Sequence, residues 1–350
     1  MVHSRMIGSP VAVAPRERDG TGRVYRDGSG NLTKNRMDAH RVDVRGMTRE
    51  QRREVSPFDF VCEKMPIQYP DPRDFTPRDF EGAYVTSRCD NGLPLGIVRD
   101  RYNILQPADF LEFAESLEGD GLLEIEELGQ FGGGKRLFVV CRVPGIQFDL
   151  LRGGHVEAHY VLGNGLDGAE SVWGMCVLRD INCMNQAPAR TALKFLGLKS
   201  RLDFRFKHTA SMEVKLAKAQ DAVRKVGDHF EELGDYARKM AERRMSEGHF
   251  VAFTEYMTPN PEGVGVRTGK AEAIRATLLD AFHHSPGVRG ESVWDAWSAV
   301  TYYTTHASGA RSDENRFRAS LGGKYADKAA ELLRVYVSSG IDGMTNYAEA

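Results

Sequence analysis

The amino-acid sequence predicts an α+β protein: an antiparallel-sheet N-terminal domain, followed by a long helix and a helical C-terminal domain. Two patterns predict this class. Between residues 83 and 183, short apolar segments follow one another through glycine-containing turns, as strands of an antiparallel sheet do. From residue 212 onward, apolar residues recur at intervals of three and four, which is the spacing of one helix face. The 350 residues, of which 41% are hydrophobic, leave room for two domains.

Residues 1–55 are predicted to be a basic, mostly disordered arm. The segment contains many Arg, Gly and Asp residues and few large apolar ones, so it cannot bury enough surface to fold alone. Its favoured interpretation is a solvated tail, and its functional alternative is an arm that contacts phosphates. Ordered structure is predicted to begin near Phe58.

Residues 56–209 are predicted to form the antiparallel-sheet domain. Cys89–Gly92 is a turn signal, and Pro107–Leu117 has the apolar spacing of a helix. Glycine-rich Gln130–Gly134 joins two predicted strands, Leu122–Leu128 and Arg136–Val143. Two further strands are predicted over His155–Gly163 and Glu170–Cys183.

Residues 210–248 are predicted to form one long helix with a heptad pattern. Its apolar positions alternate in spacing between four and three: Met212, Leu216, Ala219, Val223, Val226, Phe230, Leu233, Ala237 and Met240. Such a seam is typical of a coiled coil or a long bundle helix. It is covered either within the chain, which is the default, or by a second subunit, which makes this helix a candidate homo-oligomer contact. Residues 249–350 are predicted to be helical after a break at Thr258–Gly263.

Bulk composition excludes several classes of protein. Lys and Arg number 47 and Asp and Glu number 49, so the formal net charge of −2 argues against a protein that coats duplex DNA. The five cysteines are scattered and include no C-x-x-C pair, which favours free thiols in a reducing compartment. No stretch has the length and apolarity of a signal peptide or a membrane span, so we expect a cytoplasmic protein without membrane association.

The motifs that carry chemistry give no positive evidence for an enzyme or a cofactor. Gly129–Arg136 nearly matches a phosphate-binding loop, but Arg136 replaces the hydroxyl residue and a strand, not a helix, follows. We therefore interpret it as a hairpin turn. Adjacent His283 and His284 point in different directions on a helix and are not expected to share a metal.

Two groups of polar residues have both a structural and a functional interpretation. Asp149, Asp167, Glu170 and Asp180 could supply a carboxylate metal site, although acids in loops are common. Arg179, Asn182 and Asn185 surround Cys183 beyond a predicted strand, where they form a local hydrogen-bond network or present donors to a ligand. The network is the favoured interpretation.

The stretch from residue 186 to residue 226 interleaves cations with aromatic rings, as a groove for nucleic acid does. The candidate nucleic-acid-binding residues are Arg190, Lys194, Phe195, Lys199, Arg201, Phe204, Arg205, Phe206 and Lys207. The same alternation also describes a half-buried strand with apolar side chains inward and charged ones outward. From this segment alone, the strand with a solvated face is favoured.

Several segments taken in order resemble the phage/plasmid-like proteins, a family of unknown function encoded on phages and plasmids. The matching residues are Leu95–Val98, Arg101, Tyr102, Gln106, Phe110, Gly133–Val139, Asn164, Asp167, Gly168, Arg179, Cys183, Asn185, His208, Thr209, Trp297, Thr301, Tyr302, His306, Arg311, Phe317 and Lys324. The resemblance implies a mobile-element protein in a bacterial cytoplasm. It supplies no catalytic residues.

Three hypotheses for function follow. The leading one is a non-enzymatic protein that binds or anneals single-stranded nucleic acid, most simply DNA, in phage or plasmid replication or recombination. The second is a protein-interaction module that acts on a host or phage partner. The third is a metal-dependent nuclease, which needs acidic side chains that converge in one pocket.

Overall fold

The computed structural model describes residues 40–150, 154–180, 186–188, 204–209, 212–225, 230–261, 269–285, 290–309, 312–321 and 323–350. Ten strands are assigned in these residues: β1 His40–Asp43, β2 Cys62–Pro70, β3 Pro77–Arg88, β4 Pro94–Arg99, β5 Glu124–Phe131, β6 Arg136–Leu150, β7 Gly154–Gly165, β8 Val172–Asp180, β9 Gln186–Pro188 and β10 Phe204–Phe206. The helices are α1 Arg49–Val55, α2 Pro107–Gly119, α3 Met212–Arg224, α4 Phe230–Glu242, α5 Glu247–Met257, α6 Gly269–His284, α7 Val293–Tyr302, α8 Asp313–Ser320 and α9 Lys324–Glu349. An antiparallel-sheet region therefore precedes a helical one, and the predicted α+β class is confirmed.

The larger sheet has seven strands, in the order β1-β5-β6-β7-β8-β10, with β9 also paired to β8. Every pairing between these strands is antiparallel. The glycine-rich turn of this sheet joins β5 to β6. Gly132, Gly133 and Gly134 all have positive φ there, which a residue with a side chain rarely adopts. The hairpin interpretation of this motif is confirmed.

The two faces of the larger sheet are covered differently. One face belongs to the main hydrophobic cluster, to which β7 contributes Tyr160, α2 contributes Phe110 and α9 contributes Leu333. The other face carries a smaller cluster, in which Phe138 and Val161 of the sheet contact Phe317 of α8. Beyond this second cluster, the same face is lined by charged side chains.

The smaller sheet has the order β2-β3-β4 and packs on the turn between β7 and β8. The Thr86 hydroxyl donates to the Leu166 carbonyl at 2.7 Å. At Gly96 the backbones approach so closely that a Cβ atom would lie 2.1 Å from the Asp167 carbonyl oxygen. Arg88 adds a hydrogen bond to the Gly133 carbonyl at 3.0 Å. The smaller sheet is thus attached by two side-chain hydrogen bonds and by a close backbone contact that leaves no room for a side chain at position 96.

The prediction that disorder extends to residue 55 was wrong for residues 40–55. β1 pairs with the outer edge of β5, and Val42 packs against the main cluster. α1 begins at the N-cap Thr48, and its Arg52 is buried in ion pairs with Glu118. β1 and α1 need few apolar residues of their own, because they pack on a hydrophobic cluster that the rest of the chain supplies. Residues 1–39 lie outside the described residues.

The predicted long helix is described as two helices, α3 and α4, with residues 226–229 between them outside the described residues. At the described positions the apolar seam faces the protein's own core: Ala219, Val223, Ala237 and Met240 are buried in the main cluster. The default interpretation, coverage within the chain, is confirmed at these positions. The homo-oligomer contact through this helix remains a prediction, because the side chains of the seam residues Met212, Phe230 and Leu233 lie outside the described residues.

Helix α2 agrees with its prediction. α2 buries Phe110, Leu111, Phe113 and Ala114, as its spacing predicts. Cys62 and Cys141 are buried free thiols, Cys176 is buried, Cys89 is exposed, and Cys183 lies outside the described residues. None of the described helices is long and apolar enough to cross a membrane.

Candidate functional site

Four of the nine predicted nucleic-acid-binding residues are described, and they form and follow strand β10. They are Phe204, Arg205, Phe206 and Lys207. The other five, Arg190, Lys194, Phe195, Lys199 and Arg201, lie outside the described residues. β10 pairs with β8 at the end of the strand order, so it lies at an edge of the larger sheet.

The two phenylalanine rings of β10 are half-buried and turned toward the core. Phe204 lies 6.3 Å from the ring of Tyr160 and 5.8 Å from that of Phe206, measured between ring centroids. Gly174, opposite Phe204 on β8, makes room for this ring, because a Cβ atom there would lie 2.2 Å from it. The rings therefore fit the half-buried strand, and the part of them that could stack on a base is small.

The charged side chains of this region point the other way. Arg205 and Lys207 are exposed, and Lys218 is exposed on the following helix α3. Lys215 joins the two elements, since its ammonium group donates to the Lys207 carbonyl at 3.2 Å. We call Arg205, Lys207, Lys215 and Lys218 the basic edge. None of the four forms an ion pair with any residue in the described ranges.

The carboxylates that could have bound a metal are instead gathered around an arginine. Arg136 contacts Asp167 at 2.9 Å and Glu170 at 3.2 Å, and it also pairs with Glu314 of α8. Arg318 completes the group, with its guanidinium 2.8 Å from Glu170. Burial raises the pKa of Glu170, while the two arginines and Trp173 oppose this effect. We call these five charged residues the Arg136 cluster. Its ion pairs connect α8 to the larger sheet.

The other carboxylates of the predicted metal site are elsewhere. Asp149 lies at the opposite end of the β6–β7 ladder from Asp167 and pairs with His155 at 2.7 Å. The side chain of Asp180 lies outside the described residues. Among the side chains that the structure describes, no three His, Cys, Asp or Glu groups are placed to hold a metal ion together.

Arg179 belongs to a charged group on the second face of the larger sheet. Its guanidinium lies 3.5 Å from the carboxylate of Glu126. The same carboxylate lies 3.2 Å from Nε2 of His159. Burial lowers the pKa of Arg179. The predicted partners Asn182, Cys183 and Asn185 lie outside the described residues. The sequence reasoning missed Glu126 and His159, whose only signal was their polar character within apolar strands.

A buried polar group lies where the loop before α2, the end of β7 and the turn after β10 meet. His208 stacks on Tyr102 with ring centroids 4.7 Å apart, and the Tyr102 hydroxyl donates to Gly165 at 2.6 Å. Asn164 donates to the Leu105 carbonyl at 3.0 Å. Within the described parts of the chain, neither ring nitrogen of His208 has a hydrogen bond of good geometry, although a polar contact with the backbone of Asn103 favours the protonated ring. Burial lowers the pKa of His208 to about 4.

This histidine predicts a loss of stability in mild acid. A native state that keeps His208 neutral down to a pKa of about 4 competes with an unfolded state that binds a proton near pH 6.5. Stability is therefore lost as the pH falls through that window, by about 3 kcal/mol between neutral pH and the lower limit. We expect His208→Phe to remove this part of the pH dependence in urea denaturation. Asn164→Ala is the control, because it removes a buried group that does not titrate. Its loss of free energy of unfolding should be the same at pH 7 as at the lower end of the window.

Family comparison identifies the class of protein in which these features occur. A domain of unknown function, DUF932, matches residues 94–321, which is more than half of the chain. The chain belongs to this family. No curated protein and no solved structure matches it. The match runs from β4 to α8 and so includes the basic edge, the Arg136 cluster and the buried group at His208.

Proposed function

We propose that this chain is a non-enzymatic protein that binds or anneals single-stranded DNA in the replication or recombination of a phage or plasmid, in the cytoplasm of a bacterial host. The observation that carries the proposal is the basic edge, where four neighbouring cations have no described acidic partner. A polynucleotide supplies the missing negative charge as a row of phosphates.

The contrast with four other arginines of the chain supports this interpretation. Arg52, Arg88, Arg136 and Arg318 are each neutralised by a carboxylate within the chain. In a protein of net charge −2, an unneutralised group of four cations is a local feature, and bulk composition does not account for it. Because Phe204 and Phe206 pack on the core, the proposed contacts at this edge are mainly electrostatic, and stacking contributes little here.

The proposal predicts that reversing two charges on the basic edge weakens binding to single strands. The double variant Arg205→Glu/Lys207→Glu is expected to bind a labelled oligothymidine at least about tenfold more weakly at low salt, because two phosphate contacts become repulsive. The slope of log affinity against log salt is expected to fall by about 1.4 for two lost contacts with a single strand. Fluorescence anisotropy titrations at several salt concentrations measure both quantities.

The matched control reverses two exposed lysines outside the basic edge, Lys239 and Lys324. Lys239→Glu/Lys324→Glu changes the net charge equally, so it should leave the affinity within about twofold if binding is local. Equal weakening by both double variants would mean that bulk charge, not this edge, attracts the oligonucleotide. Wild-type protein that gives no anisotropy change at low salt would remove the proposal.

A second candidate function, a protein-interaction module, is favoured by a different observation. Large apolar side chains are exposed on the β2–β3 hairpin, among them Phe75 and Phe80. We do not propose a metal-dependent nuclease, because Asp167 and Glu170 are engaged by Arg136.

A further inference from the structure

The β2–β3 hairpin extends beyond the rest of the smaller sheet. β4 pairs with β3 only from Ala83 to Ser87, whereas β2 and β3 remain paired as far as Pro70 and Pro77. Residues 66–80 therefore form a two-stranded projection, which we call the hairpin arm. Nearly all of its side chains are exposed. Two strands without a covered face are marginal on their own in water, so this arm gains little from its own packing.

The hairpin arm exposes three aromatic rings. Tyr69 is 47% exposed, Phe80 is 52% exposed, and Phe75 at the tip is 78% exposed. Tyr69 lies directly opposite Arg78, and Phe80 follows Arg78 by two residues, at the start of the irregular stretch between Asp79 and Tyr84. Exposed rings gathered in this way mark interaction sites more often than solvated surface.

The tip holds its aromatic residue in an unfavourable backbone conformation. Phe75 has a φ of 60°, and it is the one non-glycine residue with positive φ among those that the structure describes. Two backbone hydrogen bonds fix it: the Phe75 amide donates to Asp71 at 2.8 Å, and the Asp71 amide donates to Thr76 at 2.9 Å. The two hydrogen bonds thus hold a strained backbone conformation although the ring itself lies in solvent. Such strain indicates that the direction of the ring has a function.

The exposed apolar surface continues from the arm onto the outer face of the smaller sheet. There Met65 and Ile97 flank Val85 across three strands, and they are 50% and 67% exposed. A standard interface buries about 800 Å² per partner, of which somewhat more than half is apolar. The three rings together expose on the order of 350 Å² of surface. With Met65 and Ile97 added, the exposed apolar surface is close to the apolar area that one partner of a stable dimer buries.

The charges of the arm fit a second copy better than a polynucleotide. The arm contains three aspartates and two arginines, and both arginines, Arg73 and Arg78, are paired with Asp71. No unneutralised cation is therefore available on it for phosphates. A surface with both signs and a small net charge does not repel a copy of itself, as a strongly basic or acidic surface would.

We propose that the hairpin arm and the outer face of the smaller sheet form the interface of a homodimer, in which the rings of one copy pack against those of the other. An interface made of the same patch on both copies closes as a dimer. This inference does not depend on nucleic-acid binding.

The test is the association state of the full chain in sedimentation equilibrium. The wild-type protein is expected to be a dimer at micromolar concentration, and Tyr69→Ser/Phe75→Ser/Phe80→Ser is expected to raise its dissociation constant at least about 100-fold. The matched control replaces three exposed apolar residues elsewhere, as Val214→Ser/Val251→Ser/Tyr347→Ser, and should remain dimeric. Circular dichroism confirms that both triple variants keep the native fold.

Three results would overturn the dimer. The wild-type chain could remain monomeric up to about 100 µM; both triple variants could dimerise as well as the wild type; or the arm variant could lose oligonucleotide binding with no change in association, which would make the arm a nucleic-acid surface. A chain that dimerises through the arm but binds no oligonucleotide would support this inference and remove the function proposed above.

Discussion

Replacing Gly96 with alanine is expected to lower the free energy of unfolding by at least about 3 kcal/mol, at the upper end of what overpacking costs. The added Cβ would lie 2.1 Å from the carbonyl oxygen of Asp167 and 2.6 Å from its Cα, so the backbone itself must move. That movement separates β4 from the β7–β8 turn and breaks the bond between Thr86 and Leu166. Urea denaturation of the two proteins measures the difference.

The control for this substitution is Gly248→Ala in helix α5, where nothing lies within 4 Å of the added Cβ. Because alanine is the better helix former, this variant should be unchanged or more stable by up to about 1 kcal/mol. A Gly96→Ala protein within about 1 kcal/mol of the wild type would mean that the smaller sheet moves away from the β7–β8 turn at little cost.

The parts of the fold that local rules determine could be predicted from the sequence. α2 was predicted over Pro107–Leu117 and extends over Pro107–Gly119, because proline suits the first helical position and the apolar residues follow one helix face. The β5–β6 turn was predicted because three consecutive glycines tolerate positive φ. In both cases a short stretch of sequence carries the whole signal.

The end of α3 at Arg224 could not be read from the spacing of the predicted long helix. Apolar residues keep the heptad spacing through both helices because both pack on the same core. The seam therefore looks continuous although the structure describes two helices. At Gly234 of α4, a Cβ atom would lie 3.4 Å from the ring of Phe148, so this glycine lies at the contact between helix and sheet.

The candidate sites depend on contacts that sequence spacing does not reveal. The basic edge was predicted in part, because Arg205 and Lys207 alternate with apolar residues on one strand. That Lys215 lies beside Lys207 follows only from how α3 returns toward β10. The Arg136 cluster was missed, since Glu314 is 178 residues away from Arg136 in the chain. Asp167 and Glu170 were instead considered as metal ligands, the usual alternative when the cation that neutralises them is unknown.

Removing the central arginine of the Arg136 cluster gives the second large expected effect. Arg136→Met is expected to lower the free energy of unfolding by about 3–5 kcal/mol near neutral pH, because three partly buried carboxylates lose their common partner. Arg142→Met is the control: Arg142 pairs with the half-exposed Glu124, and loss of such a pair should cost no more than about 1 kcal/mol.

The dependence on pH separates lost charge neutralisation from lost packing in the Arg136→Met protein. Burial already raises the pKa of Glu170, and removing Arg136 takes away one of the charges that oppose this rise. A carboxyl group with a raised native pKa keeps its proton in a pH range where the unfolded chain has released it, so stability falls as the pH rises through that range. The loss of free energy of unfolding in Arg136→Met should therefore be largest above neutral pH. It should become smaller as the pH is lowered toward 4.5, the ordinary pKa of glutamate. An equal deficit at pH 5 and pH 8 would show that Arg136 acts through packing of its side chain against α8, and that the carboxylates around it are not held away from water.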